Sequence, residues 1–530
     1  MNTNTNPAIQ RMQAARKRLN VQNSGYSHHG ASTTKKSMIG WNATSLSPAE
    51  DITSNLHLLR QRSRDLYMGG AALATSAIKT ARTNVVGTGL WLEPAVDAEF
   101  LGMGPEEASS LKRQIEREYN LWAESVECDA ARQNNMYQLQ QLALLSQLMS
   151  GDCFVLLPVT IRKQSIYDLR VRIIEADRCR SPWNFTDRFT TEHKDKNISG
   201  GVETNDAGEV IAYWFSKNHP YSIVDYGKDD WTRVAAYGEE TGRRNVLHLM
   251  ESERPEQRRG VPILAPVIDS IKQLGRYTEA ELMAAVVTGM FTVFIKSNTN
   301  GNQPLDLGFG DGDQVDQGDE NSYELGYGSV VGLAPDEDVV LANPSRPNTA
   351  FDAFVIAICR QIGAALEIPY ELLVKNFTAS YSASRAALLE AWKMFRMRRS
   401  WLATGFCQPI YEEWFAEAVA KGRIPAPGFF DDPLIRRAYT KAEWHGPSQG
   451  QLDPLKEVKA AQVRVEEGFS TRERETAEMT GADFETNNTQ RVREEKLRRE
   501  GGLIPVALQP AGNFEPANPE ESEEDDSDDK

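Results

Sequence analysis

The sequence predicts an α+β protein with an acidic excursion inserted between two of its helices. Three observations lead to this fold class. Apolar residues recur at helical spacing before residue 150 and again after residue 346. Between residues 153 and 250 the pattern changes to short runs rich in β-branched residues, which are typical of strands. Residues 297–345 then contain ten acids and no Lys or Arg, which marks them as a separate surface feature.

The two ends of the chain carry opposite charge. Residues 1–49 contain six Lys or Arg and no acid, while residues 515–530 contain nine acids and one Lys. Because such segments have few large apolar residues, we expect a disordered basic arm at 1–44 and a disordered acidic tail at 506–530. These segments are either solvated ends or arms that touch nucleic acid or an assembly partner.

The first half of the chain predicts helices followed by strands. Ser47-Pro48-Ala49-Glu50 has the pattern of a capping box, with helices continuing to about Ala81. A second helical block spans about 104–150. Strands are predicted for CFVLLPVTI, LRVRIIEADRC and NVLHLM, and a hairpin for GVETNDAGEVIAYWF, which turns at 205–208.

The second half returns to helices. One helix is predicted from Ile263 to about Phe291, and another resumes after the acidic excursion, which itself contains the strand-like pieces GSVVGL and DVVLA. The stretch NFTASYSASRAALLEAWKMFRMRRS, residues 376–400, then changes from small hydroxyl residues to a helix with a row of cations. We expect that helix to reach about Gly422, with a bend at Pro409.

Composition and motifs argue against an enzyme. The chain has no G-x-x-x-x-G-K-[ST] and no H-E-x-x-H, and its seven histidines are dispersed. The G-x-S-x-G match at 446–450 has loop-like flanks, KAEWH and QLDP, where a nucleophile elbow needs a strand and a helix. The run DGDQVDQGDE resembles a calcium loop by composition alone, since its spacing does not fit. We predict no catalytic residue, cofactor or metal.

Location is predicted from the same composition. Five scattered cysteines without C-x-x-C spacing fit a reducing compartment, and neither a secretory signal nor an eighteen-residue apolar run is present. These features predict a soluble, cytoplasmic protein.

Four segments together resemble the lambda-type bacteriophage portal proteins. They are LLRQRSRDLYMGGAALATSAIKTARTNVVGTGLWLEP, HLMESERPEQRRGVPILAPVI, IGAALEIPYELLVKNFTASYSASRAALLEAW and WHGP…LDPLKEVKAAQVRVEEGFST. They occur in the family's order and cover about residues 45–500, and the tails and the acidic excursion diverge. The resemblance implies a portal-protein fold that assembles as a ring, usually of twelve subunits, at one capsid vertex, where viral double-stranded DNA is packaged and ejected.

The resemblance also implies a division of the chain. It gives a mixed wing at 45–262, a first stem helix at 263–291, a clip at 292–345 and a second stem helix at 346–367. A tunnel loop follows at 368–385, then a long helix with the rest of the wing at 386–445 and a helical crown at 446–505.

Candidate site residues follow from this division. The channel candidates are polar or cationic: Lys375, Asn376, Thr378, Ser380, Ser382, Ser384, Arg385, Lys393, Arg396 and Arg399. On a helix the last four cations fall within an arc of about 120°, where they would either touch phosphate without reading sequence or pair with acids of a neighbouring subunit. The clip candidates for docking are acidic: Asp306, Asp311, Asp313, Asp316, Asp319 and Glu320.

The implied partners are those of a portal vertex. They are further copies of the chain in a homo-dodecamer, double-stranded DNA bound without sequence specificity, the large terminase subunit, the major capsid and scaffold proteins, and the head-completion proteins. No membrane is involved, and the chain is placed in the virion, with assembly in the host cytoplasm.

Two other functions remain as alternatives. A metal-dependent nuclease would use scattered carboxylates such as Glu175 and Asp177, although surface acids at a strand end explain them more simply. A sequence-specific DNA-binding protein is disfavoured by the acidic pI of about 5.1 and by the lack of a helix-turn-helix or zinc spacing.

Overall fold

A computed structural model describes most of the chain between residues 45 and 501. The described ranges are 45–182, 197–223, 230–289, 351–377, 380–450, 454–481 and 484–501, with short pieces at 31–32, 35–41, 294–296 and 331–333 and the single residues 11 and 43. Within these ranges, no helix has both the length and the apolar character needed to cross a bilayer.

Two helices open the described fold, α1 (Pro48–Met68) and α2 (Ala72–Val85). The predicted N-cap is confirmed, since the Ser47 hydroxyl accepts a hydrogen bond from the backbone N–H of Glu50 at 3.3 Å. The helices are separated by a turn in which Gly70 has φ +97°, a conformation that favours glycine.

The second predicted helical block consists of two long helices, with a short one before them. They are α3 (Ala98–Leu101), α4 (Pro105–Ala123) and α5 (Met136–Ser150), and a 3-10 turn, Val126–Cys128, lies between the two long ones. Helix α5 begins with a reciprocal capping box between Asn135 and Gln138. This cap explains why the block divides at that point.

Among the described residues, the strands between residues 91 and 250 belong to three antiparallel sheets. The strands in chain order are β1 (Trp91–Pro94), β2 (Asp152–Leu156), β3 (Arg172–Ile174), β4 (Asn197–Ser199), β5 (Val202–Thr204), β6 (Val210–Ser216), β7 (Trp231–Ala235) and β8 (Val246–Met250). One sheet has the order β3-β2-β8 and another the order β4-β5-β6-β7, which includes the predicted hairpin. Strand β1 pairs with a strand from far along the chain, described below.

Helices return after the second sheet. A 3-10 turn at Ala265–Val267 leads into α6 (Ile268–Gly289), and α7 (Phe351–Ala365) follows the excursion. Between them, the described pieces β9 (Phe294–Lys296) and β10 (Val331–Leu333) pair in parallel. Strand β10 falls within the predicted piece GSVVGL.

The long helical region after α7 is divided into three helices. They are α8 (Tyr370–Val374), α9 (Tyr381–Leu402) and α10 (Gln408–Ala420). A π-helical turn at Ala403–Cys407 connects α9 to α10. Pro409 has no N–H to donate to the carbonyl of Gly405, so the regular hydrogen-bond ladder is interrupted just before the predicted position.

After residue 421, the part of the chain that the structure describes forms one strand and four helices. They are α11 (Pro433–Thr440), β11 (Ala442–His445), α12 (Pro454–Glu466), α13 (Arg472–Thr480) and α14 (Phe484–Glu500). Strand β11 pairs antiparallel with β1, with Trp91 opposite His445. The expectation of a loop at KAEWH was therefore wrong, because long-range pairing with β1 makes a strand of four residues that show little alternation.

A large apolar core joins the first helices to α10 and α11. Tyr119 of α4 packs edge-on against Trp414 of α10 with ring centroids 5.1 Å apart, and both side chains are fully buried. A smaller cluster around Phe154 and Phe215 lies between β2 and β6. Burial of aromatic side chains on this scale makes one packed body of segments that lie about 300 residues apart.

Candidate functional site

The predicted tunnel loop, residues 368–385, is mostly helical. Helix α8 ends at Val374 and is followed by Lys375, which has φ +57°, and α9 begins at Tyr381 after its N-cap, Ser380; residues 378–379 lie outside the described residues. The left-handed conformation costs a residue with a Cβ about 1–2 kcal/mol. The backbone N–H of Lys375 donates to the carbonyl of Glu371, which closes the short helix.

The described side chains of this loop are exposed. Lys375, Asn376, Phe377 and Ser380 all face solvent, and Phe377 is 53% exposed. Ser384, one turn into α9, is half-buried. Of the other predicted residues, Thr378 and the side chain of Ser382 lie outside the described part of the structure.

The N-terminal side of the loop is fixed to the core. Leu373 is buried, and its carbonyl accepts a hydrogen bond from the Ser76 hydroxyl of α2 at 2.7 Å. The chain passes so close to α7 that a Cβ on Gly363 would lie 2.5 Å from the carbonyl oxygen of Ile368. The exposed loop is thus held by a rigid base.

The four predicted cations of α9 do not form one row. Lys393 is 74% exposed and bonds Glu390 of its own helix at 2.6 Å. Arg385 approaches Glu457 of α12 at 3.9 Å, and Arg396 lines the same cleft between α9 and the C-terminal helices. The structure thus brings Arg385 and Arg396 together and leaves Lys393 apart.

Arg399 turns away from solvent into the protein. Its guanidinium donates to the carbonyls of Asn84 and Val85 at the end of α2, at 2.9 and 3.1 Å, and to that of Pro447 at 2.8 Å. Burial, with a smaller effect of Arg396, lowers the pKa of Arg399 to about 10. Carbonyls at a helix C-terminus lack intrahelical partners, so a cation is well placed there. This side chain joins α2, α9 and the segment after β11.

A buried charge cluster that sequence reasoning missed holds the mixed domain to α1. Asp152, fully buried at the start of β2, bonds Arg60 of α1 at 2.9 Å and Arg259 at 2.7 Å. Arg259 also donates to three backbone carbonyls. Burial alone would raise the pKa of Asp152, but Arg259, Arg60 and His248 hold it well below its ordinary value. The sequence signal that could have indicated this cluster is the acidic residue at the start of an otherwise apolar strand, in DCFVLL.

The nuclease carboxylates belong to a second ionic cluster. Glu175, Asp177 and His219 offer ligand atoms within 4.8 Å of one another. Arg64 already bonds Glu175 at 2.8 Å and is paired with Asp177. Burial and nearby arginines lower the pKa of His219. The interpretation of Asp177 as a surface acid was wrong, because it is 6% exposed and serves as a buried partner of arginines. A divalent cation would have to displace a guanidinium here.

The G-x-S-x-G segment follows a strand, but the neighbouring histidine, His445, is paired with a carboxylate and does not serve as a base for Ser448. His445, the last residue of β11, is paired with Glu93 across the β1–β11 ribbon. That contact lowers the pKa of Glu93 to about 2 and raises the pKa of His445. The histidine is thus held as a partner of Glu93 in the ribbon.

The six acidic clip candidates between Asp306 and Glu320 lie outside the described residues. Their assignment stays a prediction.

Comparison with solved structures gives weak structural similarity. The necks of gene transfer agent particles match 80% of this chain and 92% of theirs, at 11–12% identity. The TM-scores are 0.38 for "Neck of native GTA particle computed with C12 symmetry" and 0.35 for "Neck of empty GTA particle computed with C6 symmetry".

Sequence comparison is more informative. Portal protein B of Escherichia phage lambda is 26% identical over 522 residues, which cover 95% of each chain. The portal protein of Escherichia phage N15 is also 26% identical, over 501 residues, covering 91% of this chain and 92% of its own. The profile of the family described as "Phage portal protein, lambda family" matches residues 34–399, well over half of the sequence. The chain belongs to the lambda family of phage portal proteins.

Proposed function

We propose that this portal protein forms a homo-dodecameric ring at one vertex of the capsid, and that double-stranded DNA passes through the ring during packaging and ejection. The observation that carries the proposal is the family match, together with one relative aligned over 95% of both chains. The alignment with portal protein B of phage lambda spans 522 residues, which supports a role for this chain at the level of the whole protein.

Exposed apolar residues on the stem helices support a ring. On α6, Leu282 is 65% exposed and Met283 is 57% exposed, while Phe354 of α7 is 50% exposed. Monomeric proteins rarely leave such side chains clustered in water, and burial of apolar area gives about 25 cal/mol per Å². Neighbouring copies of the same helices would cover them.

The loop at 375–380 has properties that suit contact with passing DNA. Its exposed Lys375, Asn376 and Ser380 offer hydrogen bonds and one positive charge, which bind phosphates without reading bases. Because each neutralised phosphate adds affinity, a strongly basic wall would retain DNA. The chain's formal net charge of −16 and its few exposed cations on α9 suit a passage with a low axial barrier.

The remaining partners follow from the same assignment. We infer that the acidic excursion at 292–345 docks the large terminase subunit and later the head-completion proteins, and that the outer wing contacts capsid and scaffold proteins. The chain acts through these surfaces and carries out no catalysis. Assembly takes place in the host cytoplasm.

The test is electron microscopy of the purified protein with its mass measured by light scattering. Rings with a central hole and a mass near twelve times 59.2 kDa support the proposal. The variant Leu282→Ser should lower the fraction of rings, while Leu142→Ser, an exposed leucine on α5 in the wing, should leave it unchanged. A monomer at all salts and concentrations would contradict ring formation.

A further inference from the structure

A cleft lies between the long helix α9 and the C-terminal helices α12 and α13. It has a volume of about 350 Å³, and its lining includes the apolar Leu388 and Met479. Four cations line it, Arg385, Arg396, Lys456 and Arg464, together with three acids, Glu457, Glu475 and Glu478. The excess of cations beside apolar side chains suits a chain segment that carries carboxylates.

The cations differ in how far they are neutralised. Arg464 forms a bidentate ion pair with Glu475, with N–O distances of 2.6 and 2.8 Å, so its positive charge is neutralised. Arg385 reaches Glu457 only at 3.9 Å. Within the described residues, no carboxylate oxygen lies within 4.0 Å of the exposed Arg396. One side of the cleft therefore has positive charge available.

The chain itself contains a complementary segment. Residues 520–529 include eight acids and two serines, the densest run of one charge in the sequence. Charge-assisted contacts between Arg and carboxylate are the strongest ion pairs that such a segment can make.

The acidic segment is close enough to reach the cleft. Helix α14 packs against α13, which lines the cleft, and ends at Glu500. Its 17 residues span about 25 Å. Residues 502–519 reach up to about 60 Å when extended, so they can return the acidic segment to α9.

We propose that residues 520–529 dock on this cleft of their own chain, with carboxylates over Arg396 and Arg385. Tethering gives a segment of this length a millimolar effective concentration at the cleft. DNA phosphate is the competing occupant, but it has no tether and must approach a chain of net charge −16. The docking does not depend on ring formation or on DNA passage.

The test places a photo-cross-linker in the tail of the full-length chain, as Glu524→p-benzoylphenylalanine. Irradiation should cross-link the tail to peptides containing residues 385–396 and 456–464. The yield should be about tenfold lower in the double variant Arg385→Gln/Arg396→Gln. A tenfold loss is expected if the two contacts that are removed contribute about 1.4 kcal/mol together. The yield should also fall at about 1 M salt, where screening acts within about 3 Å. The control Lys496→Gln/Arg499→Gln removes two exposed cations of α14 and should leave the yield unchanged.

Each of four results would overturn the proposal. Cross-links to α14 alone, or cross-links that persist in Arg385→Gln/Arg396→Gln, would show that the cleft is not the tail's site. Loss of DNA binding in that double variant without any change in cross-linking would assign the cleft to DNA. In rings mixed from isotopically heavy and light chains, docking within one chain gives no heavy–light cross-links, so a statistical share of them would assign the cleft to the tail of a neighbouring copy. Unchanged melting of the double variant verifies that the fold is intact.

Discussion

Replacing Arg399 by glutamine separates a role in the fold from a role in the channel. The sequence placed Arg399 in a row of cations available to DNA, whereas the structure shows its guanidinium donating to three backbone carbonyls. A glutamine side chain at this position would be too short and has a single amide group, so at least one carbonyl at the end of α2 would lose its partner.

The expected loss of stability follows from these contacts. A hydrogen bond from a charged donor contributes about 1.5–3 kcal/mol, and a buried carbonyl left without a partner costs about 1–3 kcal/mol. Because Arg399 is only half-buried, water can replace some of the lost hydrogen bonds and reduce the loss of stability. We expect a net loss of about 2–4 kcal/mol, which lowers the melting temperature by roughly 4–16 °C for a cooperative unit of 150–250 residues.

The assay is thermal unfolding followed by circular dichroism, alongside DNA binding at several salt concentrations. Arg396→Gln, three residues away and exposed, is the matched control and should melt within about 2 °C of the wild type. If Arg399→Gln instead melted like the wild type and weakened DNA binding, the structural role of Arg399 would be refuted.

Three further predictions concern the charge clusters and the base of the loop. Asp152→Asn leaves two buried arginines without their anion and should destabilise the protein by about 3–5 kcal/mol, measured as a lower melting temperature; an unchanged value would refute the cluster's role. The Glu93–His445 pair should stabilise most between about pH 4.5 and 6.5. The reason is that Glu93, with a folded pKa of about 2, loses its contribution as the pH falls below 4.5, while His445, whose pKa is raised, loses its own as the pH rises through that raised value. Melting curves of Glu93→Gln should lack this maximum. Gly363→Ala should destabilise the base of the loop, because its Cβ would meet a carbonyl oxygen at 2.5 Å, and should increase protease cleavage at 375–380. The control Gly275→Ala, in an open position of α6, should be neutral or stabilising by about 0.5–1 kcal/mol. Equal protease cleavage in the Gly363→Ala and Gly275→Ala variants would show that Gly363 does not support the loop.

Local chemistry was enough to predict most of the regular elements. The cap at Ser47, the helical spacing of α5 and α6, and the strands around CFVLL are each specified within a few residues. These signals are short-range, so they are readable without knowledge of the rest of the fold.

Contacts between distant segments were not readable in the same way. Strand β11 exists because β1, about 350 residues earlier, supplies its hydrogen-bonding partner. A helical wheel placed Arg399 beside Arg396, and only the position of α2 turns its side chain inward. The buried ion pairs of Asp152 could not be predicted from the sequence, because its two arginines come from segments 92 and 107 residues away.

The proposed role in DNA passage requires that residues 375–380 face the channel of the assembled ring. A cryo-electron microscopy map of the purified ring measures the distance of this loop from the ring axis. We expect Lys375, Asn376 and Ser380 to lie at the narrowest point of the channel, within reach of DNA phosphates. A map with the loop on the outer surface of the ring, or buried between subunits, would show that this role is wrong.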